Sequence, residues 1–342
     1  MRKLALGLAA ALALVGGALT SCSSTGATGA STSPEDAAAK LKNQTITLVV
    51  PFDPGGGYDA YARMLAPKLG HELGATVIVE NKPGAGGILA TNEAVHAKPD
   101  GKTLVLLNGP GHLGAAIAKT NGVLYDAKTM SYIGQISSEP DVLVTSKSSG
   151  IASEDDISGK RFAATGPGSN EYIDAVVLNQ LLGMKNQVVT GFASSNEASL
   201  NVIQGNVELH SRSLGSQQPG INSGDLKPVL VIGQNTGENE IKGVDNLVDV
   251  VKEDQKELAT LHTKLISSGR LIAAPPGMDP GTLQVIRDAF ERVMTDKAFV
   301  KAAADAKRPV HYASGNDVQK LVNDVMGSPQ EYVNLITKAY MG

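Results

Sequence analysis

Thr45–Asp59 reads TITLVVPFDPGGGYD, and this stretch decides the fold. Thr45–Val50 is apolar and β-branched, the composition of a buried strand. Pro51 ends it, and residues 52–57 form a Gly-rich loop. Beyond the loop, Tyr61, Met64, Leu65, Leu69 and Leu73 share one helical face. The unit then repeats. Thr76–Glu80 reads as a strand, 82–87 as a Gly-rich loop and 88–97 as a helix. Thr103–Leu107 reads as a third strand, followed by Gly109, Gly111 and a helix over 113–119. Strand, Gly loop and helix in threefold succession predict an α/β fold on a parallel sheet with right-handed crossovers.

The scheme returns further along. Arg161–Thr165 reads as a strand, Gly166-Pro167-Gly168-Ser169 as a loop and 170–182 as a helix. Gln187–Phe192, Val207–Ser211 and Pro228–Ile232 read as strands. Ser194 and Glu197 have capping-box spacing before a helix over 195–204, which Gly205 ends. Residues 244–267 read as one long charged helical stretch, and Leu271–Ala274 as a strand. Asp279 and Pro280 suit Ncap and N1 of a helix over 281–295, and amphipathic helices follow. Ser131–Thr145 and Ser268–Pro275 read as paired crossing strands or a hinge. The expected lobes are then 43–136 plus 273–342, and 137–272.

The amino terminus reads as an address. Arg2 and Lys3 precede an uncharged apolar run, Leu4–Leu19, of 16 residues. A spanning helix needs ~20, so residues 1–21 read as a signal peptide. Leu19-Thr20-Ser21-Cys22 resembles the lipobox of bacterial lipoproteins, which implies lipid attachment at Cys22. Removal of 21 residues and two positive charges leaves 321 residues at a formal charge of −6. Ser23–Pro34 holds only Ser, Thr, Gly, Ala and Pro, so 22–42 reads as an acylated Cys and flexible tether. The expected location is outside the cytoplasmic membrane, lipid-anchored, facing the periplasm or the cell exterior.

Composition removes several function classes. Lys plus Arg number 30 against 34 Asp plus Glu, so no basic excess points to nucleic acid. A single cysteine cannot make an internal disulfide, a Cys-rich zinc site or an iron–sulfur cluster. The six histidines, at 71, 96, 112, 210, 262 and 311, show no H-E-x-x-H spacing, so no metal is expected. No cofactor is expected either. No G-x-S-x-G or G-x-x-x-x-G-K-[ST] occurs. Aromatics are 4% and Trp is absent, which argues against sugar-stacking platforms.

In an open parallel sheet ligands bind beyond the carboxyl ends of the strands. Four loops there (52–58, 82–87, 108–113, 166–170) each open a helix. Helix starts offer unpaired N–H groups and partial positive charge, and glycine lets a ligand approach. The matching ligand is an anion, best a carboxylate.

PFDPGGGYD (Pro51–Asp59), ENKPGAGG (Glu80–Gly87) and KPDGKTL (Lys98–Leu104) resemble, in order and spacing, the substrate-binding proteins of tripartite tricarboxylate transporters, the Bug family. The likeness continues through Val188–Gly205 and Ile272–Leu283. It implies a two-lobed periplasmic-binding-protein-like fold, a ligand cleft between lobes and a hinge of crossing strands. It implies a carboxylate receptor, not an enzyme, that serves a two-component membrane permease. Carried over, Phe52, Pro54, Gly55, Gly56, Gly57, Tyr58, Gly86 and Gly87 hold one carboxylate. The second lobe supplies Gly168, Ser169 and Asn170, and the turn at Ser194 and Asn196. Asp59 is expected to act as a helix-start or loop-bracing residue, since an acid would repel the ligand. Departures fall at Tyr58, Lys82, Asn108–His112 and His210, positions expected to set ligand choice. Asn108 and His112 are candidate contacts, as is Arg212 for a second carboxylate. A monomer is expected.

Two other readings stay open. One is a carboxylate sensor that feeds a signalling partner. The other is a dehydrogenase, because Gly109-Pro110-Gly111-His112-Leu113-Gly114 satisfies G-x-G-x-x-G. That motif is weak alone, and no strand leads into Asp126, the acid 17 residues past Gly109.

Overall fold

The computed structural model describes residues 32–341 except Gly168 and Thr236. The signal peptide and Cys22 lie outside the described residues. In chain order the elements are α1 (Pro34–Leu41), β1 (Thr45–Val50), α2 (Gly57–Leu73), β2 (Thr76–Asn81), α3 (Ile88–Val95), β3 (Thr103–Asn108), α4 (Gly109–Ile117), β4 (Ser131–Ser137) and β5 (Asp141–Ser146). Then come β6 (Arg161–Ala163), α5 (Asn170–Leu181), β7 (Gln187–Val189), α6 (Ser195–Ile203), β8 (Leu209–Ser213), α7 (Leu214–Ser223) and β9 (Leu226–Ile232). The chain continues through α8 (Leu247–Val250), α9 (Lys256–Ile266), β10 (Arg270–Ala274), α10 (Pro280–Thr295), α11 (Lys297–Asp305), β11 (Ala313–Ser314), α12 (Gly315–Met326) and α13 (Gln330–Met341).

One sheet has the order β11-β4-β10-β3-β1-β2, the other β7-β6-β8-β5-β9. The parallel pairs are β1 with β2 and β3, and β6 with β7 and β8. Both sheets are mixed rather than wholly parallel. β10 runs antiparallel to β3 and β4, and β5 runs antiparallel to β8 and β9. β4, β5 and β10 are buried along their whole length, so no alternation of buried and exposed positions distinguishes them from parallel strands. β4 and β10 do pair, whereas β5, just three residues after β4, joins the other sheet.

The helical face predicted for α2 packs as expected. Tyr61, Leu65 and Leu69 are fully buried, each worth about 1.5–3 kcal/mol against exposure. They share a core with Leu48, Leu104, Ile286 and Phe290. Another core runs through Val105, Phe162, Ile173, Leu265 and Tyr332 and so touches both sheets. α13 packs on α5, placing the last helix against the second sheet's layer.

Three local expectations are corrected. Residues 34–41, read as tether, form α1, capped by Ser33 and anchored by buried Ala37 and Leu41. A Pro at N1 with Glu35 and Asp36 in the first turn suits a helix start better than a linker. The third helix starts at Gly109, not 113, because the Asn108 side chain caps it. The stretch 244–267 is broken, with only Leu247–Val250 and Lys256–Ile266 as α-helix.

Candidate ligand-binding site

A cavity of about 310 Å³ opens where strand ends of both sheets meet. That is within the range of small-molecule pockets. The first sheet contributes Phe52, Pro54, Gly56, Gly57 and Tyr58 after β1, Gly86 and Gly87 after β2, and Asn108 after β3. The second contributes Ser169, Asn170, Ser194, Asn196 and Arg212. Gly55 and His112 do not line the cavity, and Gly168 lies outside the described residues.

The helix starts around it are not equivalent. α2 begins after Gly56 and α3 after Gly87, and neither has a side-chain cap. At α2 the first N–H groups stay available beside the cavity, whereas at α3 the Ile88 N–H donates to Ala85 O and the Gly87 N–H to Gly84 O. In contrast, the Asn108, Ser169 and Ser194 side chains accept from Gly111, Tyr172 and Glu197 N–H at their own helix starts. The anion cradle expected from four equivalent loops therefore rests chiefly on the start of α2, with α3 lacking only a side-chain cap. At Gly57 an added Cβ would stand 3.2 Å from Ser216 Oγ and 3.4 Å from Arg270 Nη2. Gly87 has φ +95°, and a Cβ there would press on His112 Nε2 at 2.5 Å. Gly87 therefore needs glycine, whereas at Gly57 the Ser216 and Arg270 side chains would have to give by a few tenths of an ångström.

Asp59 braces the first loop. Its carboxylate accepts the Gly55 N–H at 2.9 Å and pairs with Arg63 at 2.9 Å. Burial alone would raise this carboxyl, but Arg63 and the Gly55 N–H outweigh it and hold it below the usual range. Gly55 thus serves the loop through Asp59.

Two arginines face the cavity. Arg270, 5% exposed, donates to Ser137 Oγ and Ser213 Oγ at 2.9 Å and pairs with Glu139 at 3.2 Å. Its guanidinium lies 5.0 Å from the Tyr58 ring centre and 4.7 Å from that of Tyr61. Burial is the strongest single influence and opposes its charge, but Glu139, Tyr61, Tyr58 and Asp141 together outweigh it and hold Arg270 above its ordinary range. Arg212 donates to Asn196 Oδ1 at 2.9 Å. Burial pushes it down to about 10, leaving it cationic at neutral pH. Glu171 is buried, accepting from the Ser195 hydroxyl and, at 3.5 Å, from Thr165 Oγ1.

His112 is a brace rather than a contact. It is 1% exposed behind the second loop. Its Nε2 lies 3.2 Å from Gly86 O and its Nδ1 3.4 Å from Thr91 Oγ1. The ring is parallel to Phe52 at 6.2 Å. Burial lowers it to about 4, so it is neutral. His210 is also buried, with Nδ1 2.9 Å from Ala163 O, and does not line the cavity. The G-x-G-x-x-G run is spent on packing. Gly109 N–H donates to Gly269 O and Gly111 N–H to Asn108 Oδ1. A Cβ on Gly109 would strike Ser268 Oγ at 2.3 Å.

Sequence reasoning missed Arg270, Glu139, Asp141 and Glu171, all of which line the cavity. Arg270, Glu139 and Asp141 lie at or just before the starts of β10 and β5, ends that a wholly parallel sheet would place far from the site.

An α/β chain with two mixed sheets and a cavity between their strand ends, floored by helix starts without side-chain caps, is a solute-binding protein. Comparison with known proteins gives the family. The model of the tripartite tricarboxylate transporter family receptor matches residues 61–337, and the chain belongs to that family of solute-binding receptors. Protein BugT of Bordetella pertussis is 24% identical over 279 residues, which is 78% of this chain and 81% of that protein. MatC from Rhodopseudomonas palustris with bound malate is similar at a TM-score of 0.69 and 21% identity, over 86% of this chain and 99% of that one. The periplasmic binding protein BugD gives 0.70 at 20%, over 86% and 97%. An R. palustris protein with adipate gives 0.69 at 18%, over 86% and 97%. The fold is the two-lobed, periplasmic-binding-protein-like one. No helix among the described residues is long and apolar enough to cross a membrane.

Proposed function

We propose that this receptor captures a small organic carboxylate in the cavity and delivers it, unchanged, to a two-component membrane permease. The observation that carries this is the pair of helix starts without side-chain caps, α2 above all and α3, opening on the same cavity as Arg212. Backbone N–H groups of the first two loops take one carboxylate, and Arg212 takes a second acidic or polar group through its planar fork. Malate in MatC and adipate in the second R. palustris protein support an acid as ligand. The lobes follow the two sheets, with α1 and the whole of β10 (Arg270–Ala274) on the first rather than a border at 272/273, and the ligand bridges them to favour the closed form. The protein acts as an exported monomer held by a lipid at Cys22.

Calorimetry against di-, tri- and aromatic carboxylates tests the reading. At least one acid is expected to bind in the micromolar range. If none binds tighter than about 1 mM, roughly −4 kcal/mol, the carboxylate reading fails. Mass spectrometry of the eluted acid is expected to return it intact; a changed mass would indicate an enzyme.

A further inference from the structure

A chain of buried polar side chains runs inward from the cavity wall. Asp141, at the start of β5, lines the cavity yet is 0% exposed. Its Oδ2 accepts from Asn170 Nδ2 at 2.9 Å. Its Oδ1 meets no donor among the described residues. Asp174, another fully buried carboxyl, shares a side-chain hydrogen bond with Asp141. Asp174 Oδ2 accepts from Ser211 Oγ at 2.5 Å, and its Oδ1 lies 3.1 Å from His262 Nε2. His262 Nδ1 lies 3.3 Å from the Tyr332 hydroxyl. His262 and Tyr332 are fully buried too.

The proton positions follow from the partners. Burial holds the Tyr332 phenol well above its ordinary range, so it keeps its proton and donates to Nδ1. Burial holds His262 down to about 3, so the ring is neutral and its one proton is on Nε2, aimed at Asp174. Ser211 also donates to Asp174. Asp174 is therefore the acceptor at the centre, and the bond from Asp141 requires a proton on Asp141. Two contacting carboxylates in a low dielectric do not both ionise. Burial and the Asp174 charge push Asp141 well above the usual carboxylate range, in accord with that assignment.

We propose that Asp141 stands in the cavity wall as a neutral carboxylic acid, its proton held against Asp174, and that this proton is part of the ligand site. The proposal rests on the reading of the cavity as a carboxylate site. The other charges that face Asp141 are Glu171 on α5, Arg212 on β8, Arg270 on β10 with its partner Glu139, and the Tyr58 phenol on α2. With Asp141 neutral, the acids and arginines around the cavity nearly balance and an anion is admitted. With Asp141 ionised, a further carboxylate tips that balance to negative and repels it. Capture of the anion and retention of the proton are thus linked.

Two measurements test this. Infrared spectra of the ligand-free protein at neutral pH should show a protonated-carboxyl band that titrates with pH and is absent from Asp141→Asn. Calorimetry with the dicarboxylate series from malonate to adipate should show wild-type affinity falling by about tenfold per pH unit above the ionisation of Asp141. Asp141→Asn, which keeps a donor toward Asp174, should flatten that fall. Absence of the band in wild type overturns the proposal without any variant. A band with identical pH profiles in both proteins overturns the linkage. A band with no acid bound at any pH leaves the proton in place and refutes the carboxylate reading instead.

Discussion

Buried His112 holds the Gly86 carbonyl as a neutral ring, and that has a measurable pH signature. Its folded value, about 4, lies below the ordinary 6.5 because burial disfavours the charged form. A histidine shifted this way contributes stability above its unfolded value and loses it as pH falls toward the folded one. Between pH 7 and 5 the loss comes to about 2 kcal/mol. His112→Gln is expected to show a smaller drop in melting temperature over that interval than wild type, by calorimetric scanning. Equal slopes would mean that the ring is already solvated or charged. The sequence marks His112 as lying in a glycine loop but not on which side of the loop it stands. That side is decided by Phe52 and Gly87, which close over the ring from the cavity face.

At the scale of elements, strand direction separates what sequence reading reached from what it missed. Strand positions, the loops after β1, β2 and β3 and several helix starts follow from local pattern. The antiparallel setting of β5 and β10 does not, since a fully buried strand looks the same in either direction. Reversal brings Arg270 opposite Asn108 and Asp141 opposite Ser213, at the cavity end of their sheets. The pair so assembled, Arg270 with Glu139, is desolvated on both sides. Removing one member of a buried pair leaves a lone charge, at a cost of about 3–5 kcal/mol. Arg270→Met is expected to destabilise by that amount in urea unfolding. Adding Glu139→Leu should recover a large part of it. A double variant as unstable as the sum of both singles would show that the charges are not coupled. α1 escaped notice for a similar reason: eight residues carry too little periodicity to separate a helix from a polar tether.

At the scale of the whole molecule, composition and family likeness pointed to a receptor, while ligand choice depends on side chains gathered from distant strands. Attachment also belongs here. Cys22→Ser is expected to move the protein from the membrane fraction to the soluble extracytoplasmic fraction on cell fractionation. Retention in the membrane would contradict the lipid anchor. Closure is open to scattering: the radius of gyration should shrink when acid is added, and no change would argue against the lobes moving.

Thr32 ties the start of the described chain to the body. Its N–H donates to Asp279 at the start of α10, and Leu41 and Thr282 both adjoin Gly101, at the amino end of β3. The cavity sits at the opposite, carboxyl end. The start of the described chain and the mouth of the cavity therefore lie at opposite ends of β3, so whatever precedes Thr32 joins the body on the side away from the ligand.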